Sequence, residues 1–418
     1  MPITVSTICR IEGHGAININ AESNRVKLSV LEGERLFEGI LLGRSASDAH
    51  WITPRICGVC PIVHNLTTII AAENAFGIKP SQQAQDLRRV MMAAQIIESH
   101  ILHLFFLAMP DYLGLNRGTD LAHKEPKLFA AVLELKQVSD QIAETIGGRP
   151  IHPVTTKIGG FHKYPKVSDL EQLIDKIRQA KKSAKICLET VASQKYPKLE
   201  GTQHYLVSSD SNKSYTPTNA TEIIDESGAK FLTSKYRENI KEMIVEGSTA
   251  KWGKYKDGGL MVGALARLQI RKDRYLEAIG EVHAAYQQIK NSQNPFHNNI
   301  AQAIEVVHFL HEADLVLSNL LKKYNPKQID LDSNPRAGQG IGALEAPRGT
   351  LYYELHFDEK GLVEFCNIIT PTVQNLTSIE ENANLLLEAN KSKSIKEKQH
   401  LLEMLIRAYD PCITCSVH

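Results

Sequence analysis

Two C-x-x-C pairs carry the most chemistry in this sequence: Cys57 and Cys60 within RICGVC, and Cys412 and Cys415 within DPCITC. Cysteines three positions apart can turn both sulfurs toward one metal ion, because the intervening turn brings them close. The pairs stand near opposite ends of 418 residues. A shared ion would therefore pin the last residues, which in most chains fray, into the body of the fold. By spacing alone, four thiolates suit a structural zinc, a redox dithiol or an iron–sulfur cluster. Structural zinc usually closes short local segments, whereas this arrangement joins distant ones. Cys9, Cys187 and Cys366 stand alone, and seven cysteines are too few and too uneven for a disulfide framework.

The elements that must position these thiols are mostly helical. Apolar periodicity predicts helices over roughly 61–76, 81–109, 121–147, 167–195, 273–323 with a break at Asn294-Pro295, and 373–408. The stretch QDLRRVMMAAQIIESHILHLFFLAM is apolar around much of its circumference, as suits a helix buried among helices. AININ and RVKLSVL flank a polar turn and predict a hairpin, and TLYYELHF-DEKG-LVEFCNII predicts a second. Residues 196–260, rich in Ser, Thr, Lys and Tyr, read as an irregular surface excursion. The expected fold class is mainly α, a large helical-bundle body with small β-hairpin elements, forming a single domain over 1–418. Composition is that of a globular protein, 43% hydrophobic and 23% charged. Lys plus Arg at 48 nearly balance Asp plus Glu at 47, so no global field recruits nucleic acid. The first residues lack the basic head and apolar core of a signal peptide, and no unbroken run of about 18 apolar residues occurs.

The residues around the cysteines resemble a known family. RICGVCPIVH and DPCITCSVH are similar to the first and last signatures of the [NiFe]-hydrogenase large subunit, R-x-C-G-x-C-x-x-x-H and D-P-C-x-x-C-x-x-H. RIEGHG (10–15), GGRPIHP (147–153) and EAPRGTL (345–351) resemble three further signatures in the expected order. The resemblance implies a catalytic subunit that cleaves H2 reversibly into protons and electrons. It implies that Cys57 and Cys412 bind nickel terminally while Cys60 and Cys415 bridge nickel to an iron holding CO and two cyanides. Four soft thiolates suit that centre, and an open position distinguishes it from a closed four-cysteine zinc.

Further roles follow from the same resemblance. Arg348, beside Pro347 in APRG, matches an arginine that hangs over the metals, and Asp410 matches the carboxylate paired with it. Arginine is a permanently charged planar donor, able to polarise a small ligand and to hydrogen-bond a cyanide nitrogen. Thr372 falls where a hydroxyl meets the other cyanide. Glu12 matches the glutamate that takes a proton from the active-site cysteine, and His64 matches a histidine donating to a bridging cysteine. Glu38 in LFEGILLGR and His418, with the carbonyl of Ile368 as a third, match the ligands of a magnesium or similar ion. Taken singly, most of these residue types are surface, capping or packing groups; their joint order carries the assignment.

One departure stands out. Ser99 occupies the place where many respiratory members carry an aspartate, which together with LFEGILLGR and CPIVHNL looks more like the cytosolic, cofactor-coupled members. His100 and His103 share one helical face and read as packing and hydrogen-bonding groups rather than ligands. The lone cysteines cannot build a relay, so the resemblance implies an iron–sulfur small subunit and further electron-transfer subunits. It implies a cytoplasmic location, with membrane association only through those partners. Two alternatives stay open: a complex I-like quinone-site relative, a class that has generally lost the four cysteines, and a scaffold stapled by structural zinc.

Overall fold

The computed structural model describes residues 3–5, 7–20, 22–211, 214–275, 280–330 and 334–418. Helix dominates, and four long helices pack as a bundle: Gln82–Leu102, Pro126–Gly147, Val167–Ala192 and Asn298–Leu320. Their ends follow from local chemistry. Ser81 caps the first by accepting from the Ala84 N–H, and Pro126 opens the second at a position where its missing N–H costs nothing. Gly148, at φ 80°, closes it in the left-handed region that glycine tolerates. The first helix runs on into a wider π-helical turn, His103–Ala108. The combined helix Gln82–Ala108 is long and apolar enough by length and composition to cross a membrane, yet 83% of its apolar window is buried within the fold.

A second layer carries the chemistry. Strands Gly338–Ala346, Gly349–Phe357 and Val363–Ile369 form an antiparallel meander against the helix Pro61–Phe76. Gly338, Gly340 and Gly342 share the face that meets this helix. A Cβ at Gly340 would lie 2.0 Å from the Ala71 carbonyl, and one at Gly342 would lie 2.3 Å from that of Thr67. The stripe lets strand and helix backbones touch, and it was read as neither strand nor packing face in the sequence. The helices Pro371–Ala389 and Ile395–Ala408 then lead to the last residues, the latter entered through a Ser394/Glu397 capping box. The main core runs from Ile8 to Val417 and so includes residues from both ends of the sequence.

The expected helical class and both hairpins are present, the first extended to three strands by Ile3–Val5. Helix 121–147 is broken before Pro126, and helix 373–408 is interrupted between Ala389 and Ile395. The expected helix 273–323 includes 276–279, which lie outside the described residues; beyond them it is divided into pieces, the longest being Asn298–Leu320. Residues 196–260 are not an irregular excursion. They supply strands His204–Ser209, Glu222–Asp225 and Lys230–Leu232, joined in parallel by Leu260–Met261, and the hairpin Ile240–Met243/Trp252–Tyr255. Tyr205, Val207, Tyr236 and Trp252 from this region are buried.

Candidate metal centre

The two cysteine pairs meet. Cys57 ends the 3-10 turn Thr53–Ile56 in extended conformation, and Cys60 caps the helix Pro61–Phe76. Cys412 and Cys415 belong to the short turn that begins after Asp410-Pro411. Asp410 adopts φ 52°, a left-handed value rare outside glycine, which turns the chain inward just before the thiols. The four Sγ atoms lie within 4.8 Å of one another and all four residues are buried. Cys57 Sγ is 3.5 Å from Cys412 Sγ, and Cys60 Sγ is 3.5 Å from Cys415 Sγ. Backbone N–H groups of Val59 and Cys60 donate to Cys57 Sγ. Hydrogen bonds from the other three thiols, Cys412 first, hold Cys57 well below the ordinary thiol range, whereas burial pushes Cys415 well above it. Such a cluster sheds its remaining protons when a cation arrives.

Beside the thiols lies a small apolar cavity lined by Val63, Ala346, Pro347, Arg348, Leu351 and Thr372 among others. Arg348 is buried. Its Nη2 donates to Asp410 Oδ1 at 2.9 Å and its Nε to the Asp410 carbonyl at 2.6 Å. Burial alone would weaken its charge, but Asp410 and then Cys412 outweigh burial and raise its pKa further. Among the described residues Arg348 Nη1 has no partner. Gln302 holds the other Asp410 oxygen at 3.0 Å. Thr372 Oγ1 accepts from the Cys412 N–H at 2.9 Å, leaving its own hydrogen free to donate.

Glu12 joins Cys412 in a parallel β-bridge, with the Ile413 N–H donating to the Glu12 carbonyl at 3.0 Å. Its carboxylate accepts from the Thr414 N–H and hydroxyl. Burial, followed by the charge of Cys412, raises its pKa to about 8. His64 Nε2 approaches Cys415 Sγ at 3.6 Å while Nδ1 meets the Tyr353 hydroxyl at 2.7 Å. Burial drops its pKa to about 3, so the ring is neutral. With the Tyr353 O–H donating to Nδ1, the Nε2–H points at the sulfur. Tyr353 was not foreseen, although strand alternation carries it to the face that meets the helix bearing His64.

A second cluster forms where the chain ends. His418 Nε2 lies 2.7 Å from the Ile368 carbonyl and 3.8 Å from Glu38 Oε1, and His418 Nδ1 lies 2.8 Å from the Cys415 carbonyl. A neutral imidazole can donate to one of these carbonyls only. With Nδ1–H donating to the Cys415 carbonyl, the Nε2 lone pair faces the Ile368 carbonyl and Glu38, so three electron-pair donors turn toward one another. Lys251 Nζ stands 4.0 Å from Glu38 Oε2 and 3.8 Å from Glu242 Oε2, a neighbour the sequence did not reveal.

The remaining expectations divide. His100 bonds Glu305 at 2.7 Å and His103 approaches Gln302 and the Arg407 carbonyl, so both are bundle hydrogen-bonding groups. Ser99 is buried, its Oγ without a partner among the described residues. Among the described residues the four cysteines are the only cluster of three or more His, Cys, Asp or Glu ligand atoms gathered closely enough for one ion.

Comparison with known proteins agrees with this geometry. The model of the nickel-dependent hydrogenase family matches residues 35–127 and 152–418. Sulfhydrogenase 1 subunit alpha of Pyrococcus furiosus is 36% identical, the alignment covering 100% of this chain and 98% of that protein. Sulfhydrogenase 2 subunit alpha of the same organism is 32% identical over 100% of this chain and 99% of its own length. The fold matches a solved NAD+-reducing [NiFe]-hydrogenase in the H2-reduced state with a TM-score of 0.87, at 22% identity, covering 100% of this chain and 99% of that one.

Proposed function

Since the chain belongs to the nickel-dependent hydrogenase family and is a catalytic subunit cleaving H2 into protons and electrons, we propose that its four buried cysteines hold a nickel–iron centre. In this reading Cys57 and Cys412 bind nickel, Cys60 and Cys415 bridge to iron, and the iron bears CO and two cyanides. When bound, the centre supplies an electrophilic open position at which H2 is polarised for heterolytic cleavage. The observation that carries the diatomic ligands is Arg348 Nη1, a buried charged donor without a partner among the described residues, in a residue lining the cavity beside the thiols. Leaving such a donor unmet is costly. Zinc closed by four thiolates adds no acceptor beyond the sulfurs themselves, whereas a cyanide nitrogen projecting from the iron is one.

The chain's own groups then divide the work. Asp410 fixes the Arg348 guanidinium through two hydrogen bonds, so its free edge has one direction. Thr372 has a hydroxyl hydrogen for the second cyanide, and Pro347 walls the cavity without adding a donor. Glu12, its pKa near neutrality, accepts the proton from Cys412. His64 steadies Cys415 with an Nε2–H. Glu38, His418 and the Ile368 carbonyl hold magnesium or a similar cation, a reading supported by the convergence of His418 Nε2, the Ile368 carbonyl and Glu38 Oε1.

The relatives are named as alpha subunits, and this chain too works with other subunits. We assign the electrons to an iron–sulfur small subunit and to further electron-transfer subunits, because Cys9, Cys187 and Cys366 stand singly in the sequence and, among the described residues, join no cluster of ligand atoms. We place the complex in the cytoplasm, reaching membranes only through partners. The test is an infrared spectrum of the purified complex, with metal analysis and cell fractionation. Bands of metal-bound CO and cyanide with about one nickel per chain are expected. Stoichiometric zinc without those bands would refute the centre.

A further inference from the structure

Arg348 is delivered by an awkward turn. The flanking strands pair Ala346 directly with Gly349, leaving Pro347 and Arg348 as a two-residue connection. Such connections favour primed turns, whose first central residue has positive φ, because these match the strand twist. Proline is fixed at φ of about −65°, and Arg348 is not among the residues of positive φ. The turn is therefore neither primed type, and Gly349 follows it at φ 132°. Local chemistry alone would splay the strands and let Arg348 wander.

What grips the turn is Arg267, in the first turn of the helix Ala264–Tyr275 and wholly buried. Its Nε and Nη2 hold the two oxygens of Glu305, each at 2.7 Å. Nη1 donates to Glu345 Oε2 at 2.8 Å and to the Ala346 carbonyl at 3.0 Å, and Nη2 donates to the Pro347 carbonyl at 2.9 Å. Every N–H of the guanidinium is engaged, and the two carbonyls preceding Arg348 end on one rigid fork. Glu305 is fixed in turn by the Tyr215 hydroxyl and His100, and Glu345 by the Ser208 N–H and the Thr350 hydroxyl. Gly263, just before the helix, backs onto the Arg348 carbonyl, where a Cβ would come within 2.9 Å.

Buried ion networks are a weak source of stability, since desolvation offsets much of the attraction. This one supplies geometry: a charged fork that is satisfied in a single arrangement. Arg267, Glu305 and Glu345 do not line the cavity beside the thiols. We propose that Arg267, held by Glu305 and Glu345, is a positioning residue that locks the Pro347–Arg348 turn and aims the Arg348 guanidinium at the metal centre. The inference rests on the nickel–iron reading given above.

The test uses the complete hydrogenase complex carrying Arg267→Lys, whose ammonium keeps the charge but cannot span five acceptor oxygens. Nickel content should persist, the cyanide bands should shift, and kcat per nickel should fall between about ten- and about a hundred-fold, as misplacement of a reacting group does. KM for H2 should stay within about two-fold, because binding itself is untouched. In an Arg348→Lys background the same change should add less than about two-fold, since it acts through Arg348. Unshifted bands with unchanged kcat per nickel, or losses that multiply in the double variant, would overturn the proposal. If Arg267→Lys does not accumulate, Glu345→Gln loosens the same fork and is judged by the same outcomes. Should the unaltered complex show no CO or cyanide bands, the metal reading fails separately. A crystal structure of the variant then decides the positioning role, by whether the Arg348–Asp410 pair is displaced or kept.

Discussion

Glu12 shows how a single side chain is tuned by what surrounds it. Burial and the Cys412 charge raise its pKa from 4.5 to about 8. A carboxyl with a folded pKa above its unfolded value binds the proton more tightly when folded. Its contribution to stability is fully present below pH about 4.5 and is lost as pH rises through about 8. In metal-free protein the protonated carboxyl band of Glu12 should thus vanish near pH 8 and be missing in Glu12→Gln; a band titrating near 4.5 would contradict the assignment. In the loaded enzyme Glu12→Gln should keep nickel and the infrared bands yet lose turnover by about 10²–10⁴-fold, the usual span for an acid–base group. Undiminished H2 oxidation would remove Glu12 from the proton path. Arg348→Lys retains a charge but not the planar fork, and should lower kcat per nickel by about 10²–10³-fold with nickel retained. Steady-state assays normalised to nickel check both. At this scale the sequence was most legible where residues act within a few positions of one another: the paired cysteines, Asp410 before Cys412, His64 after Cys60. Gln302, Arg267 and Tyr353 carried no such local mark, because their roles arise only from partners distant in the chain.

At the scale of elements, legibility followed the range of the interactions. The long helices announce themselves through apolar periodicity and through caps such as Ser81, Pro61 and Gly148. The strand Gly338–Ala346 hid because its glycines, poor strand formers, are demanded by the helix behind them. The sheet within 204–261 hid for a related reason: its strands are two to six residues long, and Leu260–Met261 pairs with His204–Tyr205 across more than fifty positions. The glycine stripe makes its own prediction. Gly340→Ala would place a Cβ 2.0 Å from the Ala71 carbonyl and 2.4 Å from the Ala75 nitrogen, both backbone atoms that cannot swing aside. Overpacking of this kind costs about 1–3 kcal/mol. Thermal unfolding should register that loss, together with a disturbed His64–Cys415 contact, since the helix Pro61–Phe76 must retreat. An unchanged melting temperature would show that the two layers are not in close contact there.

Across the whole molecule, the metal site is also a clamp. Cys57 and Cys412 are 355 residues apart in sequence, and Cys60 and Cys415 equally so, yet their sulfurs are 3.5 Å apart. An ion bound to all four acts on the unfolded chain as a cross-link does, removing loop entropy equivalent to about 5–6 kcal/mol for a loop of that length. The tail is held besides by the Ile413 N–H on the Glu12 carbonyl, by Arg348 and Gln302 on Asp410, by Thr372 on the Cys412 N–H and by His418 against Ile368, and such contacts must dock it when no ion is bound. Each is small beside four metal–thiolate bonds. Amide hydrogen exchange should therefore slow on metal loading chiefly in 410–418 and 10–15, while the bundle helices, whose packing does not pass through the thiols, change little. Equal protection with and without metal would mean that the tail docks by its own contacts; slowing spread evenly over the bundle would mean that the ion organises the entire core rather than closing its last segment.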